Sequence, residues 1–434
     1  MTQYLSKDSL FLKLPTDLSK DEISVLDLYH DITSLTTTPT PKVTFDSIIN
    51  KTYYLLKSTN DISNALKLWQ IRLTCHLFNN QLSYAKKELI NLNNTLYLQE
   101  NHNITPPPPP PAASSSSSLS LSLSNGSTPN ATTTTNNNPI YPLPKNNQLI
   151  IDFKLLILLL RLKNFPNMNL INELYKLIYQ LRLKRNDNIN NDQISLLLVK
   201  NLQNLSYDNI VILTLTKNYL TLINFLSNLI QELKELKDSE DKKQNMANSF
   251  DCDYYSNINL IYLIINLIVH HKNHNQNHID VVINDTNFNH IWDTQINETT
   301  KNSLIYTLQH IPPSIASKHD NNPQESSIQF KCNSIKDLGQ LVQEGKITGR
   351  IICSMLGIWD LSNTYGFTLS NNLNSNSDGN STLQFTKINS QEDQQQQQEQ
   401  LNINTLSNDV IITKCCDLLN DQWCNYINKV YGLE

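Results

Sequence analysis

The stretch Leu68–Ala85, LWQIRLTCHLFNNQLSYA, decides how this chain reads. At about 100° per residue, Leu66, Trp69, Leu73 and Leu77 fall on one face of a helix. Leu68, Ile71, Cys75 and Phe78 fall on nearly the opposite face. Arg72 and His76 occupy one narrow edge between them, and Lys67, Gln70 and Thr74 the other. A helix apolar on two sides is sandwiched between neighbours rather than laid on a core. Asn79 and Asn80 break the pattern, and asparagine tolerates the left-handed conformation a turn needs. QLSYAKKELINL then restarts it, with Leu82, Ala85, Leu89 and Leu92 on a single face.

Trp69 and Ala85 stand sixteen residues apart, a tetratricopeptide spacing. In such a hairpin the aromatic fills the groove and the small residue admits the second helix. The hairpin set is therefore Trp69, Leu73, Cys75, Asn80, Ala85 and Leu89. Arg72 and His76 are left as an exposed edge, open to an ion pair or a partner contact.

Working outward, helical periodicity recurs in QLIIDFKLLILLLRLKN, LINELYKLIYQLRLK, DQISLLLVKNLQN and INLIYLIINLIVHH. DVVIND at 280–285 is the one short strand candidate, and eight glycines are few for the turns of a β-protein. The expected fold is all-α, a tetratricopeptide-like α-solenoid of antiparallel helix pairs interrupted by disordered low-complexity inserts. Residues 1–98 hold the N-terminal helices and the first hairpin, and 99–146 a disordered Pro/Ser/Thr/Asn-rich linker. Helical repeats span 147–365, with a disordered gap near 237–256. A disordered Asn/Gln-rich insert covers 366–407, and a C-terminal helix 408–434. Such polar runs bury too little apolar surface to offset the entropy of ordering them.

The formal charge of −5, from 34 basic and 39 acidic residues, argues against broad nucleic-acid binding. The basic run Arg182–Arg185 closes a helical pattern, where cations suit the carbonyl end. Seven cysteines lie scattered without a C-x-x-C, mostly in apolar company, and read as small buried hydrophobes of a reducing compartment. The N-terminal residues lack the regions of a signal peptide. LLILLL is too short to cross a membrane, and Ile210–Ile230 carries Lys217 and three asparagines. No phosphate-cradling G-x-x-x-x-G-K, no nucleophile elbow and no H-E-x-x-H occurs. His270, His274 and His278 fall at i, i+4 and i+8, a weak candidate for a metal ion if the helix continues through them. They read better as a turn between helices. Pro106–Pro111 favours polyproline II, inert or read by an aromatic groove. No cofactor is expected.

Three patches together resemble subunit 12 of the trafficking protein particle (TRAPP) complex. ALKLWQIRLTCHLFNNQLSYAKKEL is similar to the family's opening hairpin, with Trp69, Arg72, Cys75, Ala85 and Glu88 at the matching positions. IYPLPKNNQLIIDFKLLILLLRLKN is similar to its next segment through Tyr141 and Pro142, with Lys154 where the family has arginine. LGQLVQEGKITGRIICSMLGIWDLSN resembles its last repeat through Met355, Trp359, Asp360 and Leu361, and QWCNYINKVYGL its closing helix. The middle of the chain, 190–310, departs from the pattern. The resemblance implies a non-catalytic scaffold, held against large outer TRAPP subunits, linked indirectly to a Rab GTPase and peripheral to Golgi and early secretory membranes. A chaperone or peroxisomal adaptor is an alternative, as is a regulator acting through the Pro/Gln-rich tracts.

Overall fold

The computed structural model describes residues 3–15, 23–37, 43–101, 151–164, 166–187, 192–241, 251–273, 279–310, 332–372, 382–388 and 406–433. Within them lie fifteen α-helices and one two-stranded sheet. The N-terminal half holds α1 (Val25–Thr37), α2 (Phe45–Ser58), α3 (Ile62–Phe78), α4 (Leu82–Asn101), α5 (Phe153–Asn164), α6 (Met168–Asp187) and α7 (Asp192–Leu215). Then follow α8 (Tyr219–Asp241), α9 (Cys252–Asn273), α10 (Ile279–Asn284), α11 (Thr286–His290), α12 (Glu298–His310), α13 (Ile335–Gln343) and α14 (Gly349–Tyr365). Strands β1 (Phe367–Asn372) and β2 (Thr382–Lys387) precede α15 (Asn408–Asn420) and a 3₁₀ segment, Asp421–Lys429.

α3 is the centre of the N-terminal half, packed by α2, α4, α5, α15 and the 3₁₀ segment. Asp61 starts it by accepting from the Asn64 amide. Both apolar faces are buried, as the two-sided pattern requires. Asn80 takes the left-handed conformation (φ 57) that turns the chain into α4. The carbonyl end of α3 receives a cation from far along the chain: Lys429 Nζ donates to Leu77 O (2.9 Å) and Phe78 O, and also contacts Asn80.

Trp69 and Ala85 are both fully buried, and the N-terminal segment adds specific contacts to the indole. Its Nε1 donates to Leu5 O (3.0 Å), and its ring stacks on Phe11 at 4.9 Å. The N-terminal segment 3–15 thus lies against α3. Trp69→Phe keeps an aromatic ring but loses the pyrrole portion and its donor, stranding the Leu5 carbonyl, so a loss of about 1–3 kcal/mol is expected in urea unfolding; an unchanged midpoint refutes this anchoring role.

Chain order and spatial order differ. α15 packs on α1 and α3, so residues 408–420 sit beside the first helices rather than at the far end of a stack. α14 packs on α7, on the 3₁₀ segment and on α12. The pairs α3–α4, α6–α7 and α8–α9 are neighbours in both senses. Among the described residues, only Cys252–His271 in α9 is long and apolar enough to cross a membrane, and most of it is buried within the fold.

Several expectations change. The insert expected at 366–407 contains an antiparallel hairpin pairing Phe367 with Lys387 and Leu369 with Phe385. Phe367 and Phe385 approach at 5.2 Å, and Gly366, at φ 72, ends α14 and frees the chain to turn into β1. The DVVIN of this stretch is helical, in α10, and its final Asp285 is extended and caps α11. The gap expected near 237–256 narrows, because α8 runs through Asp241 and α9 begins at Cys252. The closing helix is not continuous: non-helical Tyr426 breaks it and stacks its ring on Phe78 at 4.1 Å. Five of the cysteines are buried, but Cys252 is exposed and Cys424 half-buried. Tyr141, Pro142, His274 and His278 lie outside the described residues.

Candidate functional site

Four charges sit inside apolar runs: Arg72 in WQIRLTC, Arg161 in LLLRLK, Asp208 in SYDNIVI and Asp360 in GIWDLS. A charge in such a place must find an opposite charge or remain expensively desolvated. The structure gathers these residues into two buried ionic centres.

The first corrects the exposed edge. Arg72 and His76 are fully buried, because α4 returns Glu88 to face them and the N-terminal segment covers them. Arg72 donates through Nε and Nη2 to the two Glu88 oxygens, both at 2.7 Å. Its remaining donors go to Ile49 O (2.6 Å) and Lys13 O (2.9 Å), and its guanidinium lies over the Phe11 ring at 5.0 Å. Glu88 also accepts from the amides of Leu12 (2.9 Å) and Lys13 (3.3 Å). His76 Nε2 lies 3.3 Å from Glu88, off the line of a hydrogen bond, while Nδ1 meets Gln81 Oε1 at 2.8 Å. Burial alone would raise the Glu88 carboxyl; the hydrogen bonds and charge of Arg72 outweigh it and bring it down to about 2. Every Arg72 donor group is engaged, and the centre ties the N-terminal segment, α2, α3 and α4 together.

The second centre joins α5, α7 and α14. Arg161 donates to Asp208 at 2.7 and 3.2 Å and to Asp360 at 3.0 and 3.1 Å, a fork closed on both sides. Its guanidinium lies over Tyr431 at 4.8 Å, and Nη1 reaches Val430 O at 3.5 Å, so the C-terminal residues join this centre. Burial raises the Asp208 carboxyl, Arg161 opposes this, and the Asp360 charge adds repulsion; the outcome is about 6.

That value fixes a sign. Asp208 titrates higher folded than its ordinary 3.8, so the folded chain binds more protons between about pH 4 and 6. This residue's contribution therefore falls as pH rises through that window. Asp208→Asn should flatten the slope of unfolding free energy against pH there; an unaltered slope counts against the assignment.

Beside this centre a small pocket of about 40 Å³ opens between α3, α5, α7, α14 and the C-terminal segment. Its polar lining includes Gln70, Thr74, Lys154, Arg161, Asn204, Asp360 and Thr364, with Trp423 beside them. Lys154 holds its ammonium 4.6 Å from the Tyr365 ring centre, and Trp423 Nε1 is buried without a hydrogen-bond partner.

Other singled-out residues fall into place around these centres. Met355, Trp359 and Leu361 are buried on α14 with Asp360. Leu73, Cys75 and Leu89 are buried in the α3–α4 pair, and burial pushes the Cys75 thiol up. His270 lies on α9, and the described residues contain no group of three His, Cys, Asp or Glu able to hold a metal ion. Arg182 pairs with Glu232 at the surface (3.2 Å). The reading from sequence missed Arg161 and Asp208; their signal was a lone charge between apolar neighbours. Comparison of the chain with family models, with curated proteins and with solved structures gave no match.

Proposed function

We propose that the chain is a non-catalytic scaffold subunit of a TRAPP-type assembly. It would act by protein–protein contacts, peripheral to Golgi and early secretory membranes and linked to Rab activation only through its neighbours. The observation that carries this reading concerns where the resemblance falls. Arg72, Glu88, Trp359 and Asp360 are among its defining positions, and all four are buried in contacts that hold elements together. A family signature made of such residues describes a shape to be presented to partners rather than a reaction centre. In this reading α3–α4, α6–α7 and α8–α9 are the tetratricopeptide-like pairs, and the C-terminal residues brace the first of them.

Affinity purification of the tagged full chain tests the proposal. Recovery of large TRAPP subunits is the expected result. Recovery of none of them, with chaperones or peroxisomal receptors captured instead, replaces it with the adaptor reading.

A further inference from the structure

α6 repeats the pattern that placed α3 at the centre of the fold, but only half of it is answered. Leu170, Leu174, Leu177 and Leu181 line one face and are buried, with α7 as the main packing partner. Met168, Tyr175, Tyr179 and Leu183 line the opposite face at helical spacing. They are 42, 46, 64 and 47% exposed, so no described element covers them. With only four residues between α6 and α7, Leu183 lies at the same end as Leu196 and Leu197, which are 52 and 59% exposed. Large apolar side chains gathered this way mark an interaction surface, and tyrosine and methionine are enriched in such surfaces.

Charge selects the occupant. Lys176 borders the stripe on one side and Arg182 on the other, and Lys184 and Arg185 follow in the last turns. The one acid between Met168 and Arg185, Glu173, is half-buried near Lys163 at 3.8 Å. Arg182 already binds Glu232 of α8, so this edge accepts carboxylates. A second copy laid antiparallel on the same stripe would set Lys176 against a basic helix, which like charges oppose.

We propose that the outer face of α6, extended by the start of α7, docks an amphipathic helix of a partner protein. That helix carries apolar residues at i, i+3 or i+4 and i+7, with acidic residues on its flanks. The proposal rests on the scaffold reading and names the surface which that reading leaves open.

The test places photoreactive benzoylphenylalanine at Tyr179 of the full chain, with Ile90 as the control position, in the cells that make the protein. Adducts are mapped to the residue by mass spectrometry. The expected result is a Tyr179-specific adduct within one helical segment having acidic flanks. Its yield should fall on the order of tenfold with Leu183→Ala or Lys176→Glu, while the melting temperature of each variant stays at the parent value. An adduct to this same chain, to lipid, or to a segment without acidic flanks overturns the proposal. So does a yield no higher than at Ile90. Loss of the α6 adduct with TRAPP subunits still co-purifying refutes this surface alone, whereas loss of those subunits refutes the scaffold reading.

Discussion

Glu88→Leu is expected to destabilise the chain by roughly 3–5 kcal/mol in chemical unfolding. The substitution fills the volume with an apolar side chain and removes both carboxylate acceptors of the first ionic centre. Arg72 then stays buried with two donors facing nothing, and the amides of Leu12 and Lys13 lose their acceptor. Adding Arg72→Met removes the stranded cation, so the double variant should lose less than the two single losses together. The coupling should exceed about 1 kcal/mol, as expected for residues in one network. Additive losses mean that Arg72 and Glu88 do not act as a unit.

Acid tests the same pair. Glu88 titrates near 2 when folded, against an ordinary value of 4.5. Its contribution, roughly 3 kcal/mol, is complete above about pH 4.5 and is lost as pH falls through 2. The slope has the opposite sign to that of Asp208 and lies in a lower window. A chain carrying Glu88→Leu should lack this acid limb.

The second large effect is Arg161→Met. It leaves the Asp208 and Asp360 carboxylates facing each other in the interior with no cation between them, at a cost of roughly 3–5 kcal/mol at pH 7. The deficit should shrink as pH falls toward 5, because protonation relieves both burial and repulsion. Lysine offers one charge without the planar fork that grips two carboxylates, so Arg161→Lys should recover only part of the loss. A variant whose deficit is the same at pH 7 and pH 5 would show that carboxylate repulsion is not its cause.

What was legible in the sequence was periodicity. The two-sided face of α3, the asparagine turn and the apolar runs of α5, α7 and α9 all follow from spacing alone. What covers the edge of α3 was not legible. Segment 3–15 has too little regular structure to show a period, so nothing marked it as the lid over Arg72 and His76. Arg161 finds its acids 47 and 199 residues away, and no local pattern encodes such distances. The β1–β2 hairpin was hidden differently: Phe367, Leu369, Leu383 and Phe385 alternate, but asparagine and serine between them mask two strands of six residues. DVVIND failed because three apolar residues between polar ones fit a helix turn as well as a strand. The charged residues were legible in kind but not in pairing: each sat among apolar neighbours, and only the fold revealed its counterion.

The seat of α15 between α1 and α3 has a consequence for biosynthesis. Leu28 and Ile32 of α1 and Leu68 and Cys75 of α3 are buried in the finished protein. During translation these helices leave the ribosome more than 300 residues before Ile411, Cys415 and Leu419 exist. At ~5–20 residues per second, that interval lasts on the order of 15–60 s. Throughout it, the apolar surface reserved for α15 lacks its native cover. The N-terminal helices therefore cannot finish folding as they emerge, and their nascent chain is a natural client for holding chaperones. A premature stop anywhere before 408 would leave that surface open permanently and mark the product for degradation.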